Sequence, residues 1–153
     1  MSLRFVAGGL DDPQIVAMLR DHVAAAHANS PPGETFVLDV SHLRDPAIRF
    51  WSVWEGDALA GMGALKLLEP GHAEIKSMRV AASHQRRGIG AAIVTHLLDE
   101  ARSMGLARVS LETGSNQAFA AARALYERAG FAPCERFGDY PGGDFSRYYT
   151  LKL

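Results

Sequence analysis

Between residues 73 and 114 the chain reads strand, glycine-rich turn, helix, strand, and that order leaves few ways to fold. "AEIKSMRV" (73–80) has the length and β-branched content of a strand. In the segment 91–104, Ile93, Val94, Leu97, Leu98, Ala101 and Met104 recur at helical spacing, and Gly105 is placed to end the helix. "ARVSLETG" (107–114) alternates like a strand. Two strands of one sheet joined through a helix run parallel, by a right-handed crossover. A second helix is predicted at 116–130, with Phe119, Ala122, Leu125, Tyr126 and Ala129 on one face and Gly130 as its stop. "FAPCERF" (131–137) and "FSRYYTLKL" (145–153) read as strands around the glycine-rich loop 138–144.

The first half has a different rhythm. "LRFVAG" (3–8) reads as a short strand and 11–28 as a helix, capped by Asp11 or Asp12 with Pro13 at its first position. Ile15, Leu19, Val23 and Ala26 share one face of it. Residues 29–34 have turn chemistry, whereas 35–50 show no dominant period. Two apolar runs within 50–69 flank Glu55-Gly56-Asp57, a hairpin turn, and the next turn, 69–72, leads into the strand at 73–80. The expected fold is α/β (α+β): a mixed, mostly antiparallel central sheet flanked by helices. At 153 residues, 1–153 is expected to form a single domain.

Composition narrows the function. Sixteen basic residues face seventeen acidic ones, which argues against a nucleic-acid partner. A single cysteine, Cys134, excludes an internal disulfide and a cysteine-based zinc site, and the six histidines lack metal-ligand spacing, so no metal is expected. His84 and His42 read as surface residues. There is no signal-peptide pattern and no apolar run of membrane-spanning length, so a cytoplasmic protein without a membrane partner is expected.

The turn at 84–91 carries the sharpest functional signal. Gly88 and Gly90 let the chain curl without Cβ clashes, so that several backbone N–H groups can face one concavity. The helix that follows adds unsatisfied amides and the positive end of its dipole. Such a site suits a pyrophosphate, with Arg86 and Arg87 at its rim. The Walker A pattern is absent, and no third glycine completes a dinucleotide fingerprint.

The pattern present is Gln85-Arg86-Arg87-Gly88-Ile89-Gly90, which resembles the acetyl-CoA signature of the GNAT superfamily of N-acetyltransferases. It follows a strand and opens a helix, and "ALYERAGF" (124–131) also resembles the superfamily. The resemblance covers about 72–131. It implies acetyl-CoA as co-substrate, held by Gln85 to Ala91 at the pyrophosphate and by the strand backbone at Met78, Arg79 and Val80 along pantetheine. It also implies that this strand splays from its parallel neighbour.

The resemblance implies roles for single side chains too. Tyr126 would protonate the departing thiolate; alternatively it is a core aromatic. Glu74, eleven residues before Gln85, would be the general base, directly or through water; alternatively it pairs with Lys76 at a strand start. Asn116 would contact pantetheine or cap its helix. The acceptor, a primary amine on a small molecule, amino acid or protein, would lie against 29–51 and 137–144, where Trp51 and Tyr140 offer apolar walls and Asp139 an ammonium partner. Asp139 also suits a turn. The implied function is acetyl-CoA-dependent N-acetyl transfer by direct attack in a ternary complex. A non-catalytic acyl-CoA-binding sensor or regulatory module is the alternative. The acceptor's identity and the oligomeric state, a homodimer included, are left open by the sequence.

Overall fold

The computed structural model describes residues 2–153. Strand β1 (Arg4–Ala7) leads to helix α1 (Pro13–Asn29), a one-turn helix α2 (Val40–Leu43) and three long strands, β2 (Ile48–Glu55), β3 (Ala58–Glu69) and β4 (His72–Val80). Helix α3 (Ile89–Ser103), β5 (Arg108–Gly114), α4 (Ala120–Arg128), β6 (Ala132–Pro133) and β7 (Ser146–Lys152) complete the chain. Among the described residues, seven strands form one sheet in the order β1-β2-β3-β4-β5-β7-β6. Strands β4 and β5 pair in parallel and the other neighbours antiparallel.

Local chemistry accounts for most boundaries. Asp12 caps α1 by accepting from the Gln14 amide at 2.8 Å, with Pro13 in the first turn. Ile89, Ile93, Val94, Leu97, Leu98 and Ala101 form the buried stripe of α3, and Gly105 just beyond its end has φ +74°. The sheet separates two apolar layers. Helix α3 packs with Trp51, Val53, Ile75 and Tyr126 on one face. Helix α1 and α2 pack with Phe50, Trp54 and Met62 on the other. Strand β2 alternates between the layers and is buried on both sides.

Two expectations change. The segment 131–137 pairs only at Ala132 and Pro133. Proline lacks an amide to extend the ladder, and after Cys134 donates to the Tyr148 carbonyl at 2.8 Å the chain turns over the sheet. The predicted helix 116–130 begins as a 3-10 turn at Gln117–Phe119 and becomes α-helical at Ala120. There the Arg123 guanidinium donates to the carbonyls of Gly114 (2.7 Å) and Asn116 (2.9 Å), tying the helix back to the end of β5.

The features that build the site lie on β4. Its parallel pairing with β5 covers only His72↔Arg108, Ala73↔Val109 and Glu74↔Ser110. Beyond these pairs the two strands part, β4 running on to Val80 and β5 to Gly114. On its other edge β4 slips register against β3: Met62 faces Arg79 but Ala64 faces Lys76. Ser77 and Met78 together therefore oppose Gly63, a β-bulge, with Ser77 at φ +57°.

Candidate active site

The turn before α3 has the predicted shape, with a different role for each glycine. Gly88 is left-handed at φ +78° and precedes α3 with no side chain capping the helix. The amides of Ile89, Gly90 and Ala91 thus have no acceptor within the helix. Gly90 has ordinary backbone geometry; a Cβ there would lie 3.1 Å from Leu125 Cδ2, so its smallness serves the packing of α3 on α4. Ile89 is buried and anchors the turn, while Gln85, Arg86, Arg87 and Gly88 are exposed. Arg87 also braces the fold, donating to Glu55 Oε2 at 2.8 Å. His84 is buried rather than on the surface, with Nε2 3.1 Å from Glu55 Oε1 and Nδ1 2.8 Å from Ser83 Oγ. The hydrogen bond from Arg87 holds the Glu55 carboxyl below the usual range, with His84 adding to it. Arg86 has no ion-pair partner among the described residues.

Where β4 and β5 part, a cavity of about 150 Å³ opens. Lys76, Ser77 and Met78 line it from β4, Glu112 from β5, Tyr126 from α4 and His22 from α1. Tyr126 and His22 belong to helices on opposite faces of the sheet, and they share one chamber because the sheet is open there. Tyr126 is buried, edge-on to Phe131 at 5.9 Å between centroids. Burial raises its phenol pKa, so the hydroxyl keeps its proton across the physiological range. His22 is neutral near pH 7: burial, then Arg79 and Lys76, lower its pKa to about 4. Arg79 and Val80 continue β4 above the bulge. Asn116 neither caps a helix nor faces the chamber; its Nδ2 donates to the Asn29 carbonyl at 2.8 Å, tying the start of α4 to the end of α1.

A second cavity, of about 430 Å³, shares the Phe36–Val37–Lys76 wall with the first. Ala73 and Ile75 point toward α3, so Glu74 and Lys76 point to the opposite face. Glu74 is 3% exposed and accepts a short hydrogen bond from the Tyr140 hydroxyl. Lys76 Nζ donates to Tyr140 Oη and to the Phe36 carbonyl, both at 2.8 Å, and lies 3.7 Å from Glu74 Oε2. Burial lowers the Lys76 pKa against the opposing pull of Glu74. Burial and then Glu74 raise that of Tyr140. Phe36, Phe137 and Tyr148 surround Tyr140 edge-on at centroid distances of 5.3, 5.4 and 5.7 Å. Asp139 and Lys66 stand at the rim.

Tyr140 therefore contributes its hydroxyl as well as an apolar wall. Trp51 does not join the site. It is 8% exposed, packs in the layer under α3 and lies edge-on to His96 at 5.3 Å. Its place in β2 turns it to the face away from Glu74. His22 went unnoticed in the sequence, although it falls three residues after Leu19 on the stripe that buries Ile15, Met18 and Leu19. Ser77 had no signal at all, because a bulge is decided by the neighbouring strand.

A chain with this glycine-opened helix and parted strands can be compared with known proteins. The profile of the acetyltransferase (GNAT) family matches residues 15–131. The chain belongs to this family. It is 46% identical to the uncharacterized N-acetyltransferase YedL of Escherichia coli (strain K12), over 94% of this chain and 91% of that one. It is 47% identical to the uncharacterized N-acetyltransferase YsnE of Bacillus subtilis (strain 168), over 92% and 93%. The fold matches a Bacillus subtilis acetyltransferase solved in complex with CoA, with TM-score 0.74, 21% identity and 99% of both chains covered. This GNAT chain is thus an acyltransferase of the N-acetyltransferase type, rather than the non-catalytic module that the turn alone would allow. Its fold is the expected one, with a mostly antiparallel sheet and a parting parallel pair. No helix among the described residues is long and apolar enough to cross a membrane.

Proposed function

We propose that residues 1–153 act as one catalytic domain that moves an acetyl group from acetyl-CoA to a primary amine by direct attack in a ternary complex. The observation that carries this is the chamber through the sheet, lined from one face by Tyr126 and from the other by Lys76, whose hydrogen bond to Tyr140 joins it to the neighbouring cavity that holds Glu74. The residues fit acetyl-CoA. The uncapped amides at Ile89, Gly90 and Ala91, the left-handed Gly88 and the Gln85-Arg86-Arg87 rim suit its pyrophosphate. The free edge of β4 at Met78, Arg79 and Val80 offers backbone groups to pantetheine. Acetyl-CoA supplies an activated acetyl thioester.

The protein's part is to orient the amine and to move two protons. Tyr126, kept protonated by burial, gives its proton to the departing sulfur. Glu74 takes up the amine's proton through Tyr140: the amine proton passes to the phenolic oxygen as the phenol's own proton moves onto the carboxylate. A backbone amide near Met78 faces the charge that develops on the carbonyl oxygen. The acceptor approaches past Phe36 and Tyr140, with Asp139 at the rim as partner for a cationic group. The test is CoA release from acetyl-CoA across a panel of small amines, amino acids and peptides. Tyr126→Phe should lower turnover by about 100-fold or more with acetyl-CoA affinity kept. Unchanged turnover would leave Tyr126 a core aromatic.

A further inference from the structure

The β4 bulge places one hydroxyl where nothing in the fold uses it. Ser77 is 8% exposed and lines the chamber between the parted strands. Its Oγ is buried and has no hydrogen-bond partner among the described residues. Buried hydroxyls nearly always find a partner, because burying one without a bond loses its contact with water and regains nothing. The backbone is also unusual. Ser77 has φ +57°, a left-handed conformation that L side chains rarely adopt. Such strain persists where the surrounding structure imposes it, and it clusters at functional sites.

Glycine would serve a left-handed bulge better, since it has no Cβ to crowd the carbonyl. A serine adds a hydroxyl on a short stem and little else. Three other polar groups that line the chamber are committed or ill suited. Lys76 Nζ is held by the Phe36 carbonyl and Tyr140. The Glu112 carboxyl takes a hydrogen bond from Ser146 at 2.7 Å and can only repel a growing negative charge when ionised. Tyr126, on α4, is needed for the departing sulfur. The position itself is telling: Ser77 and Met78 lie beyond Glu74, the last β4 residue paired with β5, and β3 opposes the two with Gly63 alone.

We propose that Ser77 is a catalytic residue whose hydroxyl donates a hydrogen bond to the carbonyl oxygen of the acetyl thioester, alongside the backbone amide of the bulge. This rests on reading the chamber as the acetyl-transfer site. The bond strengthens as carbon–nitrogen bond formation pushes electrons onto that oxygen, and weakens again as the carbon–sulfur bond breaks. Ser77 neither gains nor loses a proton over the cycle. A neutral donor suits the place, because the charge it stabilises is transient, and the left-handed backbone holds the side chain at the gap before any ligand arrives.

Two variants and four readouts test this. Ser77→Ala removes the hydroxyl and keeps the backbone demand; Ser77→Gly removes the hydroxyl and relieves it. Both should lower kcat by about 100-fold or more, the usual cost of deleting one such donor. Acetyl-CoA affinity by calorimetry should stay near that of the parent. Without any acceptor, the infrared carbonyl stretch of bound carbonyl-¹³C acetyl-CoA should move to higher frequency in both variants, as one hydrogen bond is lost. Ser77→Gly should unfold at a higher temperature than Ser77→Ala. An unchanged carbonyl frequency overturns the proposal. So does full turnover in Ser77→Gly with loss in Ser77→Ala, which would assign the effect to the backbone. So does a loss confined to acetyl-CoA affinity. If the parent releases no CoA with any amine, the acetyl-transfer reading fails, and the infrared comparison still decides what Ser77 touches.

Discussion

Replacing Tyr140 with Phe removes one oxygen and keeps the ring, so its effect can be worked from the contacts. The ring retains its edge contacts with Phe36, Phe137 and Tyr148. Two hydrogen bonds go: the one given to Glu74 and the one received from Lys76. Glu74, 3% exposed, is left with the Lys76 ammonium at 3.7 Å as its charged partner. Hydrogen bonds to charged groups contribute roughly 1.5–3 kcal/mol each. Lys76 keeps the Phe36 carbonyl and can close on Glu74, so a net loss of about 2–3 kcal/mol is expected rather than twice that. For a chain of this size, each kcal/mol moves Tm by about 2–4 °C, so a drop of about 4–12 °C follows. Turnover should fall further than stability explains, by about 100-fold or more, because the amine's proton loses its path to Glu74. Thermal unfolding of the free protein and steady-state CoA release at saturating acetyl-CoA measure the two effects separately. A lower Tm with parental kcat would refute the relay and leave Tyr140 a strap over a structural ion pair. A parental Tm would refute the contact itself.

Glu74→Gln should lose most of its rate near neutrality and recover part of it at high pH, where the amine arrives already neutral; a pH–rate profile that overlays the parent's assigns deprotonation elsewhere. His22 has its folded pKa lowered from 6.5 to about 4, so below the unfolded value the unfolded chain binds more protons. Its contribution, on the order of 3 kcal/mol, is present above about pH 6.5 and is lost as pH falls toward 4. Urea unfolding of the parent should weaken over that window, and His22→Gln should show a shallower decline. Gly88→Asp should abolish acetyl-CoA binding by calorimetry: an L residue at φ +78° costs about 1–2 kcal/mol, and the new carboxylate would face the phosphates. Retained affinity would move the pyrophosphate site off this turn.

How legible the protein was depends on the range of each interaction. The helices announce themselves because their stripes and caps are local: the α3 stripe, Asp12 with Pro13, and Gly105 need no partner to be read. The strand–turn–helix–strand order fixes a parallel neighbour for β4, and Gly88 marks a left-handed turn, because crossover handedness and Cβ crowding are properties of any L-chain. The rest is decided by what lies across the sheet. Gly90 looks like a twin of Gly88, yet Leu125 on another helix is its reason. Trp51 reads as an apolar wall of the acceptor site until β2 is placed between two layers. Tyr140 sits 66 residues from Glu74, and no pattern along the chain announces that a glycine-rich loop will lower its hydroxyl onto that carboxylate. The parting of β4 from β5 and the bulge at Ser77 follow from register against both neighbouring strands. Periodicity and turn chemistry are written in consecutive residues, whereas a chamber through a sheet exists only once distant strands have been set against each other.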